Sequence, residues 1–177
     1  MQQIADVQLS HEHVTFVETR IKLENQRNSA ASWFFLIACL SVVNSIIMFV
    51  SSDWSFIIGL GITQVIDGIS AGIASAVEAN AAIVFRAIAV VLDAAFVGLF
   101  VVFGLLAKKG YRWSFIIGML VYLLDSIIFV LAQDFISIGF HIFVLWGLYK
   151  GLSASNMLNK LRLGQDVQAN YASTEAG

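Results

Sequence analysis

Each of five apolar stretches in this 177-residue sequence carries a strongly polar residue near its midpoint. The five residues are Asn44, Asp67, Asp93, Asp125 and His141. An aspartate at the centre of a membrane-spanning helix costs about 3 kcal/mol to insert, and residues this costly commonly have a function. Groups that gain and lose a proton inside a membrane are what proton or cation coupling requires. The pattern predicts a polar belt at one depth that carries a proton or a small cation.

A further charge, Arg86, lies seven positions before Asp93 and should project from nearly the same side of a helix. Three acids would then face one arginine and one histidine. We expect Arg86 to neutralise one carboxylate, while a second carboxylate shares a proton or pairs with His141.

The segment that holds Asp67 also holds Gln64 and the motif Gly68-x-x-x-Gly72. Small residues allow two helix backbones to approach closely in a membrane. We therefore expect this segment to pack tightly against the segment of Asp93, with the polar stripes of both helices facing inward.

Two other interpretations of the polar residues stay open. Asn44, Gln64 and the charged residues could only form hydrogen bonds between helices, which contribute about 1 kcal/mol or less each. Alternatively, His141 could ligate a haem or a chlorophyll-type pigment, so the cofactor is unknown.

Enzyme chemistry is the less favoured interpretation. Gly68-Ile-Ser70-Ala-Gly72 fits the G-x-S-x-G pattern, but a nucleophile elbow needs a strand-to-helix turn and these residues lie in a helical run. Asp67 and Asp125 could form an intramembrane aspartyl pair, yet neither has the Tyr-Asp or Gly-x-Gly-Asp context of such proteases. Phosphate-loop, HExxH and CxxC motifs are absent from the sequence. We expect a protein that is not an enzyme and has no metal site.

Composition indicates where the helices lie. Hydrophobic residues make up 59% of the chain and charged residues 12%, and the mean hydropathy is +0.83. These values are typical of an all-α integral membrane protein whose partner is the lipid bilayer. The net charge of −2 gives no basic field that would favour nucleic acid.

The apolar stretches predict a five-helix transmembrane bundle. A helix needs about 20 residues to cross a bilayer, and four of the five stretches reach that length. The predicted spans are 31–50, 54–77, 81–107, 113–132 and 135–150. Residues 1–30 are predicted to form an amphipathic N-terminal helix, and residues 151–177 a short helix with a flexible tail.

The hexapeptide WSFIIG occurs at 54–59 and again at 113–118, and Asp67 and Asp125 follow the two tryptophans by 13 and 12 residues. This similarity suggests a duplicated pair of helices. If all five segments cross the membrane, the two pairs run in opposite directions, as in transporters with inverted repeats.

Five crossings would place six of nine clustered basic residues on one side and three on the other, so the positive-inside rule would put the N-terminus outside. All nine would lie on the cytoplasmic side if segment 54–77 were re-entrant. We prefer five crossings.

These observations favour a small, oligomeric membrane protein, placed in a bacterial inner membrane, that transports a proton or a cation. The alternative is a non-catalytic accessory or scaffold subunit of a larger membrane complex, associated through partner membrane subunits.

Overall fold

The computed structural model describes the backbone of residues 2–50 and 59–175, and the side chains of 14–47, 59–171, 173 and 174. The described residues form five α-helices and no strand. The helices are α1 Gln2–Val50, α2 Gly61–Ala76, α3 Ala79–Lys108, α4 Arg112–Leu131 and α5 Phe135–Glu175. The chain is all-α, as the sequence predicts.

Within the described residues, four helices are long and apolar enough to cross a membrane, and not the predicted five. Their span-forming parts are Val14–Ile47, Ala79–Lys108, Arg112–Leu131 and Phe135–Tyr171. Helix α2 has 16 residues and a length of roughly 24 Å, which is shorter than the ~30 Å of a hydrocarbon layer. Four apolar helices indicate an integral membrane protein.

Helix α2 begins part-way along α1 and runs in the same direction. The backbone N–H of Leu60 donates to Ser41 Oγ, nine residues before the end of α1. Farther along both helices, Ser45 Oγ donates to Asp67. Within the described residues, the second segment is therefore a short helix beside α1 that is below the length of a crossing. Its predicted first part, including Trp54, lies outside the described residues.

Helices α1 and α4 also run in the same direction, whereas an inverted repeat requires opposite directions. Phe34 packs near Gly118. Seven residues later on each helix, Ser41 and Asp125 both bind the start of α2. The described residues therefore do not contain the predicted pair of inverted helices.

Phe34 of α1 is the centre of the apolar core. Its ring lies 6.0 Å from the ring of Phe103 and 5.9 Å from that of Phe115. A Cβ atom on Gly118 would come within 2.5 Å of the Phe34 ring, so only glycine allows α4 to approach α1 this closely. This contact joins three of the long helices at one level.

Helices α1 and α5 continue beyond the apolar region as an antiparallel pair. The side chain of Gln26 in α1 donates to the carbonyl oxygen of Lys150 in α5. Both helices continue without a break through residues 30 and 151, where the sequence suggested the ends of the membrane bundle. The tail predicted to be flexible is helical to Glu175. Proline is absent from the sequence, so nothing in the chain blocks this continuation.

The paired extensions and the α3–α4 turn form one end of the bundle, here called the basic end. Nine of the ten Lys and Arg residues belong to it. They are Arg20, Lys22, Arg27, Lys108, Lys109, Arg112, Lys150, Lys160 and Arg162. The re-entrant alternative predicts this distribution, and five crossings do not.

Candidate functional site

Asp125 of α4 binds the N-terminus of α2 inside the bundle. Its Oδ2 accepts the N–H of Gly61 at 2.8 Å, and its Oδ1 accepts the N–H of Ile62 at 2.9 Å. The first N–H groups of a helix have no partner within the helix and carry partial positive charge. A carboxylate satisfies both requirements, so Asp125 fixes where α2 begins.

His141 of α5 lies behind this carboxylate. Its Nε2 is 3.2 Å from Asp125 Oδ2, and its Nδ1 is 2.8 Å from the carbonyl oxygen of Ser137. A carbonyl oxygen only accepts, so Nδ1 carries a hydrogen, and the contact with Asp125 needs a second one. That hydrogen belongs either to His141 Nε2 or to the Asp125 carboxyl group, and in both cases the two side chains form one hydrogen-bonded unit.

Aromatic rings enclose His141. Tyr122 stacks on the imidazole with ring centroids 4.2 Å apart, and the Phe129 ring lies at 4.9 Å. Both ring nitrogens are already engaged, so His141 has no nitrogen directed toward a haem iron or a pigment magnesium. Among the described residues, no group of three metal-binding side chains is present either.

The second polar cluster, here called the acid pair, consists of Asp67 of α2 and Asp93 of α3. Ser45 Oγ lies 2.9 Å from Asp67 Oδ2 and 3.3 Å from Asp93 Oδ2. The two carboxyl groups therefore lie against the same hydroxyl group and are close neighbours. Each aspartate is only 6% exposed. Two carboxylates this close repel each other unless a proton or a cation lies between them.

No basic side chain in the described part of the chain neutralises the acid pair. The ion pairs there are Arg20–Glu24 and His141–Asp125. Arg86 is exposed on α3 and does not pair with Asp93, contrary to expectation. It lies seven residues after the start of α3, roughly 10 Å along it, where a long side chain can extend toward the membrane surface.

The predicted belt at one depth is therefore two clusters. Asp125 binds Gly61, and Asp67 lies six residues farther along α2, roughly 9 Å away. The structure brings Asp67 together with Asp93, and Asp125 together with His141. It does not bring the three aspartates together, nor Asp67 with Asp125 as a protease pair would require.

The two predicted amides, Asn44 and Gln64, have buried polar atoms without a hydrogen-bond partner in the described structure. Asn44 is completely buried, and neither polar atom of its side chain has a partner in the described structure. The Nε2 atom of Gln64 is also buried without a partner. Ser70, one turn after Asp67, is a third such residue. Ser70 thus extends the buried polar side of α2 beyond the acid pair.

Gly68 and Gly72 are exposed, and a Cβ atom at either position would meet no atom within 4 Å. Helices α2 and α3 do pack together, but the two glycines are not in that contact. The buried face of α2 carries Thr63, Asp67 and Ser70, and the two glycines lie outside it.

Sequence reasoning missed Ser41, Ser45 and the backbone N–H groups at residues 60–62. Ser41 and Ser45 are four residues apart and Asn44 lies between them in the sequence, so all three project from one side of an apolar helix. That signal was available. The N–H groups carry no sequence signal, because only the tertiary fold shows that a helix begins there.

The sequence matches no protein-family model and no curated protein, and the fold matches no solved structure.

Proposed function

We propose that this protein moves a proton, or a small cation in its place, across a membrane by way of the acid pair. The observation that carries the proposal is the contact of Asp67 and Asp93 around the single hydroxyl of Ser45, without a basic partner from the described residues. Ionisable groups buried among membrane helices are costly to insert and commonly serve ion pathways.

The hydrogen-bonding capacity of the acid pair favours a proton as the transported species. Ser45 has one hydroxyl hydrogen and can donate it to only one carboxylate at a time. One carboxyl group that carries a proton would donate to its neighbour and remove the repulsion. A cluster of this kind binds a proton reversibly, because either carboxylate accepts it.

Helix α2 supplies a part that could open the pathway. Its N-terminus is held by Asp125 and Ser41, whereas most residues from 71 to 78 are exposed. Segments with few buried contacts open at low free energy. Motion of the far end of α2 would move Asp67 relative to Asp93 and expose the acid pair to water.

Four crossings, with α2 re-entrant, place the basic end on the cytoplasmic side by the positive-inside rule. The bacterial inner membrane is the location we propose. Reporter fusions test the orientation: fusions after Lys109 and after Glu175 should report cytoplasm, and a fusion after Glu78 the opposite side. A cytoplasmic signal at Glu78 would contradict it.

The flux test uses purified protein in liposomes with an imposed pH gradient. Asp67→Asn and Asp93→Asn should each lower proton flux at least about tenfold, because an amide, unlike a carboxyl group, does not ionise near neutral pH. Glu78→Gln is the matched control, since this exposed acid lies in the turn between the same two helices. Wild-type flux in both aspartate variants would refute the proposal.

The exposed pair Gly68 and Gly72 favours a second candidate, an accessory or oligomeric membrane protein. Their open surface on α2 could receive a helix of another copy or of a partner subunit. Gly72→Leu should then reduce the mass of the complex purified in mild detergent and leave the monomer folded. An unchanged mass for this variant would remove the support for that candidate.

A further inference from the structure

A cavity of about 470 Å³ lies at the basic end, between the extensions of α1 and α5 and the α3–α4 turn. Three parts of the chain that are distant in sequence each contribute cationic side chains to its wall. These are Arg20, Arg27, Lys109, Arg112 and Arg162. The acidic residues of the wall are Glu24 and Asp166, so five positive charges face two negative charges, a net of three positive charges.

The chain itself neutralises little of this charge. Arg20 pairs with Glu24 at 3.2 Å. Arg112 donates to the amide oxygen of Asn156 at 3.1 Å, which leaves its charge uncompensated. Within the described residues, neither Lys109 nor Arg162 forms an ion pair.

A buried hydroxyl also lines the cavity. Ser155 is 4% exposed, and its Oγ has no hydrogen-bond partner among the described residues. A buried hydroxyl normally has a partner, because an unsatisfied one costs free energy. Arginine, lysine and a hydroxyl together form the donor set that phosphate oxygens accept.

We infer that this cavity binds a phosphate-bearing anion. Arg162, Lys109 and Ser155 of the cavity wall contact its phosphate oxygens. The phosphate could belong to the headgroup of an anionic lipid or to a soluble molecule. Tyr111 and Trp113, which flank Arg112, are both about half exposed. Such rings prefer the membrane interface, so the cavity lies near the level of lipid headgroups.

The test compares a variant that removes two positive charges from the cavity wall with a variant that removes two positive charges elsewhere. Lys109→Gln with Arg162→Gln removes two charges from the wall. The control, Lys22→Gln with Lys160→Gln, removes two charges from exposed residues of α1 and α5 that do not line the cavity. A conservative variant, Arg162→Lys, keeps the charge and should retain most of the binding.

Delipidated full-length protein in a neutral detergent is titrated with three probes: phosphatidylglycerol, phosphatidylcholine and inorganic pyrophosphate. Bound lipid is measured by native mass spectrometry, and pyrophosphate by calorimetry. The wall variant should bind the preferred probe at least about tenfold more weakly than wild type, while the control stays within about twofold.

The probes separate the two sources of phosphate. Binding of phosphatidylglycerol alone assigns the site to a lipid headgroup, whereas binding of pyrophosphate assigns it to a soluble ligand. Either result supports the inference. Equal binding of every probe to the wall variant and the control overturns it, as does a failure of wild type to bind phosphatidylglycerol or pyrophosphate. Because Lys109 and Arg162 are exposed, we expect both variants to fold, which an unchanged Tm verifies.

Discussion

The two carboxylate clusters of this protein lie along the same short helix and differ in how completely they are satisfied. Asp125 accepts two backbone N–H groups and faces His141, so both of its oxygens are engaged. In the acid pair, Asp93 Oδ1 is buried without a partner, and both aspartates compete for one hydroxyl. Both oxygens of Asp125 have hydrogen-bond partners, whereas one oxygen of the acid pair has none among the described residues.

This difference indicates a structural role for Asp125, and the proposed functional role of the acid pair rests on it. A buried carboxylate that is fully hydrogen-bonded holds its neighbours in place, and breaking it is costly. A buried carboxylate with unused acceptors can bind and release an ion without unfolding its surroundings. Insertion cost alone does not distinguish these cases, because it is the same for all three aspartates.

The largest expected effect is the loss of stability in Asp125→Ala. This change leaves two backbone N–H groups and the Nε2 atom of His141 buried without a partner, and should lower the free energy of unfolding by about 3–5 kcal/mol. Asp134→Ala is the matched control. Asp134 also accepts two backbone N–H groups at a helix N-terminus, those of Ile136 and Ser137, but is only partly buried.

The control should lose about 1 kcal/mol, the usual contribution of an N-cap residue. Both values can be measured by unfolding in mixed micelles. Equal losses for the two variants would break the comparison, because they would show that burial adds nothing to the role of Asp125.

A smaller change in stability is expected from adding a methyl group to one of two glycines of α2. Gly61 binds Asp125, and Gly68 follows Asp67 of the acid pair. In Gly61→Ala the new Cβ would lie 2.9 Å from the Phe129 ring and 3.2 Å from Ile128, so we expect a loss of about 1–3 kcal/mol. In Gly68→Ala the Cβ meets nothing, and alanine should stabilise the helix by about 0.5–1 kcal/mol. Opposite signs would show that α2 is tightly held only at the Asp125 end.

The smallest change in stability is expected where the functional effect is largest. Asp67→Asn with Asp93→Asn should alter the free energy of unfolding by no more than about 1 kcal/mol, since two amides can hydrogen-bond to each other and to Ser45. The same unfolding measurement applies. A loss comparable to that of Asp125→Ala would assign the acid pair a structural role and favour the accessory-subunit candidate.

The positions of the buried polar residues could be predicted from the sequence, but their partners could not. Asn44, Asp67, Asp93, Asp125 and His141 are all buried in helices, as their place within apolar stretches predicts. The pairing of Asp125 with Gly61 depends on where α2 begins, and the apolar phrase WSFIIG suggested a span from Trp54. Local hydropathy gives no information on a helix that starts part-way along another one.

The error over Arg86 has a related cause. A spacing of seven residues in an ideal helix predicts that Arg86 and Asp93 lie on the same side of α3. In the structure, however, the side chain of Asp93 is buried and that of Arg86 is exposed. Seven residues of a 3.6-residue helix leave a difference of about 20° in direction, and the two residues are roughly 10 Å apart along the axis. At the level of Arg86 the side that buries Asp93 is already open.

The uninterrupted course of α1 and α5 has a mechanical consequence. Each is a single helix that passes from the level of the polar clusters to the extensions at the basic end, and the chain has no proline that would introduce a kink. A rod of this kind acts as a lever. If α1 pivots by about 10° beside Ser45, its Arg20 end, roughly 38 Å away, is displaced by roughly 6–7 Å.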